Sequence, residues 1–476
     1  MPSSEHNMLR HIPSVDAVMR QTEAVWQAAG VPRRILVDAV RAAVDHARSL
    51  VASEHTGPLD KDSLRRSIVD QVNQQVRAAA GPHYRKAINA TGIILHTALG
   101  RAVLPAQAIR QIQDELSGYS LVQVDLTTGK RSKRDERIEW LLQQLTGAEA
   151  ATVVNNNAAA TVVVLNTAAA GKEVIVSRGQ LVEIGGSFRL PDVMAAAGVK
   201  LVEVGTTNKT HLRDYERAIT ENTAAILRVH PSNYKISGFT SEVPLAPLVQ
   251  LGHARGLVVI DDVGAGPLVD FSRFGFAPEP TLPESVRTGA DLITSSADKL
   301  IGGSQGGIIL GRATLIQAVR KNPLVRIVRP GKLTLAALEA TLTLFLDESL
   351  ALREIPTLRM LCRTLDEIAA QAERIASAVG ERVPDAGVAV IEGYSQMGSG
   401  SLPTQDLPTR LVSVTAATVS PSELARRLRQ RSPPVFVRVH KGQVLLDPRT
   451  LLPGEEAIVV ESVIGVLTNA ATGNPS

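Results

Sequence analysis

Residues 292–311 read LITSSADKLIGGSQGGIILG. A β-branched, apolar run stops at two serines; Asp298 and Lys299 follow; a glycine-rich segment then leads into a second apolar run. That order describes a strand, a polar turn at its carboxyl end, permissive backbone and another strand. A lysine at a strand end is ordinarily a surface charge. What else the chain brings to the same edge of the sheet decides otherwise.

Working outward, short β-branched runs alternate with helical stretches from about residue 85. AATVV (150–154) precedes NNNAAATVVVLNTAAAG (155–171), and EVIVS (173–177) precedes SFRLPDVMAAAG (187–198). KLVEVG (200–205), AAILRV (224–229) and LVVID (257–261) continue the pattern. Repeated strand–helix units imply a largely parallel α/β sheet, whose ligands bind beyond the carboxyl ends of the strands. Those ends hold residues 155–157, 177–178, 230–233, 261–262 and 295–299. Upstream, residues 14–30, 32–55 and 60–81 have helical spacing and helix-end residues, with Gly30 and Gly81 as stops. Downstream, residues 332–380 read as one long helical region, followed by the strand-like VAVIEG, TRLVSVT, VFVRVH and QVLLD. The expected organisation is a helical domain and linker over 1–84, a large α/β domain over 85–330, and a connecting helix with a small α+β domain over 331–476. The last residues, ATGNPS, read as a frayed tail.

The 476 residues are 44% hydrophobic and 3% aromatic, which suits aliphatic cores, and the formal charge of +4 neither demands nor forbids a nucleic-acid partner. No apolar run approaches the roughly 18 residues of a membrane span, and the N-terminus lacks an apolar signal core. A cytoplasmic protein with no membrane partner is expected. The single cysteine, Cys362, excludes a disulfide framework and reads as a buried structural thiol. The histidines show no metal-ligand spacing, so no metal is expected.

Three features join Lys299 at the sheet edge. VVIDDVGAG ends a strand with Asp261 and Asp262, and strand alternation sends only one of them into a site. VVNNNAAATVVVL places Asn156, Asn157 and Ala158 at a helix start, where free N–H groups bind phosphate. Ser296 lies three residues before Lys299, where its hydroxyl can also reach a phosphate. An acid for a ring nitrogen, an amide cradle and a lysine for an aldehyde describe a pyridoxal-phosphate site.

With TGIILHTALGRA (91–102), VVNNNAAA (153–160), VSRGQLVEIGGSFRLPDVMAAAG (176–198), VGTTNKTH (204–211), HPSNYKISGFT (230–240), SADKLIGGSQGGIILG (296–311), LTLAALEATL (333–342) and GSGSLP (398–403), the chain resembles the bacterial selenocysteine synthases, the L-seryl-tRNA(Sec) selenium transferases. The resemblance spans nearly the whole chain and is most specific from Asn89 to about Thr343. It implies the type I pyridoxal-phosphate-dependent transferase (aspartate aminotransferase-like) fold and ring-shaped homodecamers built from dimers. It also implies conversion of seryl-tRNA(Sec) to selenocysteinyl-tRNA(Sec) with selenophosphate, by β-elimination through a dehydroalanyl-tRNA and selenium addition. DNA is not among the expected partners. On this resemblance Lys299 is the Schiff-base lysine and Asp298 the acid beside it. Asp262 best matches the ring-nitrogen acid, with Asp261 the adjacent alternative. Arg101, Arg326 and Arg329 match active-site arginines expected to hold the donor's phosphate through bidentate forks.

Arg178 either stacks on the cofactor or makes a salt bridge, and Asn233 either meets the ring hydroxyl or shapes a turn. The proton donor to the leaving hydroxyl is Asp298 or the Lys299 ammonium. Residues 1–86 carry 12 Lys/Arg against 9 Asp/Glu, so their tRNA-reading role is implied by resemblance and not by charge. TGKRSKRDER (128–137) reads as a subunit interface, a solvated helix start or a tRNA contact. A small-molecule pyridoxal-phosphate lyase or aminotransferase-like enzyme of the same fold is the alternative function.

Overall fold

The computed structural model describes residues 10–52, 61–186, 188–231, 233–234, 236–401 and 406–471. Residues 1–9, 53–60, Ser187, Ser232, Lys235, 402–405 and 472–476, which fall in or beside the stretches named above, lie outside the described residues. The chain divides into two compact units, residues 1–86 and 87–476.

Among its described residues the first unit has the helices α1 (Val15–Ala28), α2 (Arg33–Ala52) and α3 (Lys61–Ala80). Ser14 caps α1 by accepting from the Ala17 amide at 3.2 Å. Leu36, Val40 and Val44 on α2, and Ile68, Val72 and Val76 on α3, recur every four residues and form one buried stripe per helix. Trp26 Nε1 donates to Asn73 Oδ1 at 3.0 Å, tying α1 to α3.

The second unit begins with β1 (Ile88–Asn89) and is built on a seven-stranded sheet. Its strands are β2 (Ala150–Val154), β3 (Glu173–Ser177), β4 (Lys200–Val204), β5 (Thr223–Val229), β6 (Val258–Gly264), β7 (Leu292–Ser296) and β8 (Gly307–Gly311). Their spatial order is β2-β8-β7-β6-β5-β3-β4. All run parallel except β8, which is antiparallel to both neighbours. The expectation of a largely parallel sheet therefore holds with one exception, which has a simple cause: residues 297–306 are too few for the crossover of a dozen or more that a parallel return needs. β2, β7 and β8 are buried along their whole length, as strands covered on both faces are. Alternation divides them between two cores: Ile293, Ile308 and Leu310 join one, while Leu292 and Ile309 join the other. Helix α4 (Glu136–Thr146) leads into β2 and helix α5 (Asn157–Ala169) leaves it.

The expected single helical region over 332–380 is four helices: α6 (Lys332–Leu344), α7 (Glu348–Glu354), α8 (Pro356–Cys362) and α9 (Leu365–Arg382). Asp347 caps α7, Pro356 occupies the first turn of α8, and Thr364 with Glu367 forms a capping box on α9. A four-stranded antiparallel sheet follows, formed by β9 (Gly387–Ser395), β10 (Leu407–Thr415), β12 (Arg438–His440) and β13 (Gln443–Leu446). Strand β11 (Val435–Phe436) pairs in parallel with β1, so residues 88–89 belong with this C-terminal part of the chain. Among the described residues no helix is long and apolar enough to cross a membrane.

Candidate active site

The β7–β8 turn folds tightly: the Ala297 amide donates to Gly306 O at 2.9 Å and the Gly302 amide to Lys299 O at 3.0 Å. Gly302 has φ +74°, and a Cβ there would sit 2.5 Å from Ile355 Cγ2, so both its conformation and its space require glycine. The turn buries Lys299, which is 6% exposed. Its amine makes no hydrogen bond or ion pair among the described residues. Burial and then the charge of Arg101 pull its pKa below the ordinary lysine value, against the opposing pull of Asp298 and Asp262. A buried lysine held toward its neutral form is a nucleophile and a base.

Asp298 accepts from Arg101 Nη1 at 2.8 Å. Arg101 comes from the loop before the helix Ala106–Glu115 and has φ +63°, a left-handed conformation rare for arginine. Its amide donates to His96 O, and the Ser399 hydroxyl donates to Leu95 O at 2.6 Å, so this loop is fixed from two sides.

The two acids of β6 part company. Asp262 receives Asn157 Nδ2 at 2.9 Å, the Gly264 amide at 3.0 Å and the Thr161 hydroxyl at 3.1 Å. Burial raises its pKa despite these bonds. Asp261, on the other face, pairs with Arg228 at 2.8 Å and accepts from the Ser285 hydroxyl at 2.7 Å. Asp262 is also among the charges acting on Lys299. Thr161 was absent from the sequence reading; its place one turn beyond Asn157 on the same helix face is the signal that points to it.

Asn156 caps α5 by accepting from the Ala159 amide at 2.8 Å. The cap occupies its side chain and leaves the first-turn amides, those of Asn157 and Ala158, without intrahelical partners. Gly307 permits this turn, since a Cβ there would lie 2.1 Å from Asn156 O. Ser296 pairs with Gly307 across the β7–β8 ladder and is buried. Asn157 Oδ1 is buried without a hydrogen-bond partner.

Arg326 lies in the short helix Leu324–Ile327 and Arg329 in the turn after it. The Asn155 amide, at the end of β2, donates to Val328 O at 2.8 Å and fastens that turn beside the sheet edge. Two of the expected residues engage elsewhere. Arg178 pairs with Glu203 at 3.1 Å and donates to Gly205 O, toward β4. Asn233 Nδ2 donates to Glu183 O at 2.7 Å, while its Oδ1 is buried and unpartnered. Cys362 is half-buried against the apolar core, and burial raises its pKa. In the basic segment 128–137, Lys133 pairs with Glu139 at 3.3 Å, and Arg137 sits over the Trp140 ring at 4.3 Å. Arg134, also missed by the sequence reading, donates through Nη1 to Pro330 O at 2.9 Å.

A cofactor bearing an aldehyde, a basic ring nitrogen and a phosphate fits this set. The unpartnered lysine amine matches the aldehyde, the buried carboxylate short of a cation matches the ring nitrogen, and the open helix N-terminus matches the phosphate.

Comparison with known proteins agrees. Residues 87–452 match the family model described as L-seryl-tRNA selenium transferase, and residues 9–48 match the one described as selenocysteine synthase N terminal. An L-seryl-tRNA(Sec) selenium transferase of Alkaliphilus metalliredigens is 45% identical over 465 residues, covering 96% of this chain and 98% of that one. One of Solidesulfovibrio magneticus is 48% identical over 457 residues, covering 95% and 97%. Among solved structures, D-glucosaminate-6-phosphate ammonia-lyase superposes with a TM-score of 0.57 at 21% identity, covering 83% of this chain and 99% of that chain, a likeness of fold.

Proposed function

The chain belongs to the L-seryl-tRNA selenium transferase family, and from that premise we propose how its residues divide the work of converting L-seryl-tRNA(Sec) to L-selenocysteinyl-tRNA(Sec). The fold is that of the type I pyridoxal-phosphate-dependent transferases, and the cofactor is pyridoxal 5′-phosphate. The observation that carries the assignment is the buried, unpartnered amine of Lys299 acting under the charges of Asp262, Asp298 and Arg101.

Lys299 holds the cofactor's aldehyde carbon and Asp262 its ring nitrogen. The amides of Asn157 and Ala158, with Ser296, hold its phosphate. When bound, the cofactor supplies an electrophile for an amine and a ring that withdraws electron density from the substrate's Cα. Lys299, held toward the neutral form, accepts the Cα proton of the seryl group. The leaving β-hydroxyl needs a proton; the ion pair of Asp298 with Arg101 engages that acid and supports the Lys299 ammonium as the donor. Arg101, Arg326 and Arg329 hold the phosphate of selenophosphate while its selenium adds to the β carbon and Lys299 returns a proton to Cα; water then cleaves the P–Se bond and inorganic phosphate leaves. The salt bridge of Arg178 with Glu203 supports a structural role for that residue, and the bond of Asn233 to Glu183 O supports a turn-shaping one.

The helices of residues 1–86 bind the tRNA, a role supported by the match of residues 9–48 to the family's own N-terminal model. The same match weighs against a small-molecule lyase, which has no evident need of such a module. A homodecamer built from dimers is supported by the exposed apolar side chains of Tyr119, Leu121, Val124 and Leu126, which a second copy would cover.

The test is incubation with serine-labelled seryl-tRNA(Sec) and selenophosphate, followed by identification of the amino acid released from the tRNA. Selenocysteine, absent with Lys299→Ala, is expected. Unchanged serine under conditions where a known transferase works would contradict the proposal.

A further inference from the structure

The turn that carries Arg326 and Arg329 is clamped at two points. The Asn155 amide donates to Val328 O at 2.8 Å, and Arg134 Nη1 donates to Pro330 O at 2.9 Å, so the clamps bracket Arg329. Arg134 Nη2 reaches Gln123 Oε1 at 3.2 Å, while its Nε is buried without a partner. No carboxylate pairs with this guanidinium among the described residues. The acids nearby are already engaged: Asp135 with Arg320 at 3.3 Å, and Glu139 with Arg320 at 2.9 Å and Lys133 at 3.3 Å. The side chains of Arg131, Arg326 and Arg329 make no hydrogen bond or ion pair among the described residues. Burial, followed by the charges of Arg329, Arg131 and Arg326, lowers the pKa of Arg134, with Asp135 opposing.

We propose that Arg134 is a positioning residue for the donor site: it fixes the 324–330 turn through Pro330 O so that Arg326 and Arg329 converge on one phosphate group. The inference rests on the reading of Arg326 and Arg329 as ligands of the selenium donor. Four guanidinium groups with no acid paired to any of them repel one another, which is unfavourable in a folded chain unless an anion completes the set. A phosphate dianion supplies that charge and accepts the arginine forks. Anchoring the turn in advance removes the ordering cost that a mobile loop would meet at binding. A tie serving only the backbone would need neither the guanidinium's position among three others nor the absence of an acid paired to it.

The experiment compares holoenzyme of the wild type, Arg134→Met, Arg134→Lys and Arg326→Ala. It measures KM and kcat for selenophosphate, KM for seryl-tRNA(Sec), and the melting-temperature shift caused by inorganic phosphate alone. Phosphate is expected to raise the wild-type melting temperature, and less so in Arg134→Met. KM for selenophosphate in Arg134→Met is expected to rise about 10- to 100-fold, the weight of one hydrogen bond involving a charged group, with KM for seryl-tRNA(Sec) unchanged and Arg134→Lys intermediate. If Arg326→Ala weakens both donor and phosphate binding while Arg134→Met leaves both as in the wild type, the role of Arg134 is overturned and the donor site stands. If Arg326→Ala also leaves both unchanged, the donor-site reading itself falls. An equal rise in both KM values would make Arg134 a general structural residue and overturn the inference. Should Arg134→Met not fold, Arg134→Lys decides, and a wild-type KM for selenophosphate in that variant counts against the proposal.

Discussion

The protonation of Lys299 is governed by burial first and by the charge of Arg101 second, with Asp298 and Asp262 opposing. The sign of one substitution follows. Arg101→Met removes a cation that disfavours the lysine ammonium and also frees Asp298 to act on the lysine alone. Both changes raise the lysine pKa, so the neutral amine needed to take up cofactor becomes abundant only at higher pH. Rebinding of pyridoxal phosphate to cofactor-free enzyme, followed by absorbance across pH, should show its rising limb displaced to alkaline pH relative to the wild type. An unmoved or acid-shifted limb would show that Arg101 does not act on Lys299. The preference for Asp262 over Asp261 is argued at this scale too. Strand alternation required that one acid face away, and the partner of Asp261 proves to be Arg228 on the adjacent strand.

At the scale of elements, the site depends on how closely β8 approaches the start of α5. A methyl group at Gly307 would sit 2.1 Å from Asn156 O and 2.5 Å from its carbonyl carbon, so the cap of α5 must move. Gly307→Ala should therefore lower cofactor content per subunit and cost about 1–3 kcal/mol of stability, the range for overpacking a filled site. Gly118→Ala, where nothing lies within 4 Å of the added carbon, serves as the control and should stay within about 0.5 kcal/mol. Retention of wild-type cofactor content by Gly307→Ala would mean that the α5 terminus does not hold the phosphate. Much of this edge was legible in the sequence, because strand ends, a helix start and a lysine beyond a strand are local patterns. What escaped was long-range. The reversal of β8 depends on the length of a turn, while the contact of Arg134 with Pro330 joins residues 196 positions apart that no local pattern relates. The long helical stretch after residue 332 showed apolar periodicity throughout, yet Asp347, Pro356 and Thr364 punctuate it at its caps.

For the whole molecule, the chain divides at residue 86, and the first unit has its own core of Val18, Leu36, Val40, Val44, Ile68, Val72 and Val76. The β7–β8 turn, Asp262 and the start of α5 all lie in the second unit. Removing residues 1–80 should therefore leave bound cofactor and its absorbance intact while abolishing tRNA binding, read as loss of a gel-shifted complex with seryl-tRNA(Sec). Undiminished tRNA binding by the truncated protein would remove the N-terminal helices from substrate recognition. Conversely, loss of cofactor on truncation would show that the second unit depends on the first.

The amine of Lys299 is the group that must carry the cofactor. Borohydride reduction of the purified holoenzyme, followed by proteolysis and mass analysis of the peptides, fixes the cofactor wherever it is held. A phosphopyridoxyl group on Lys299, within the peptide containing SADKLIGG, is the predicted result. A group on any other lysine, or none in a protein that is active, would contradict it.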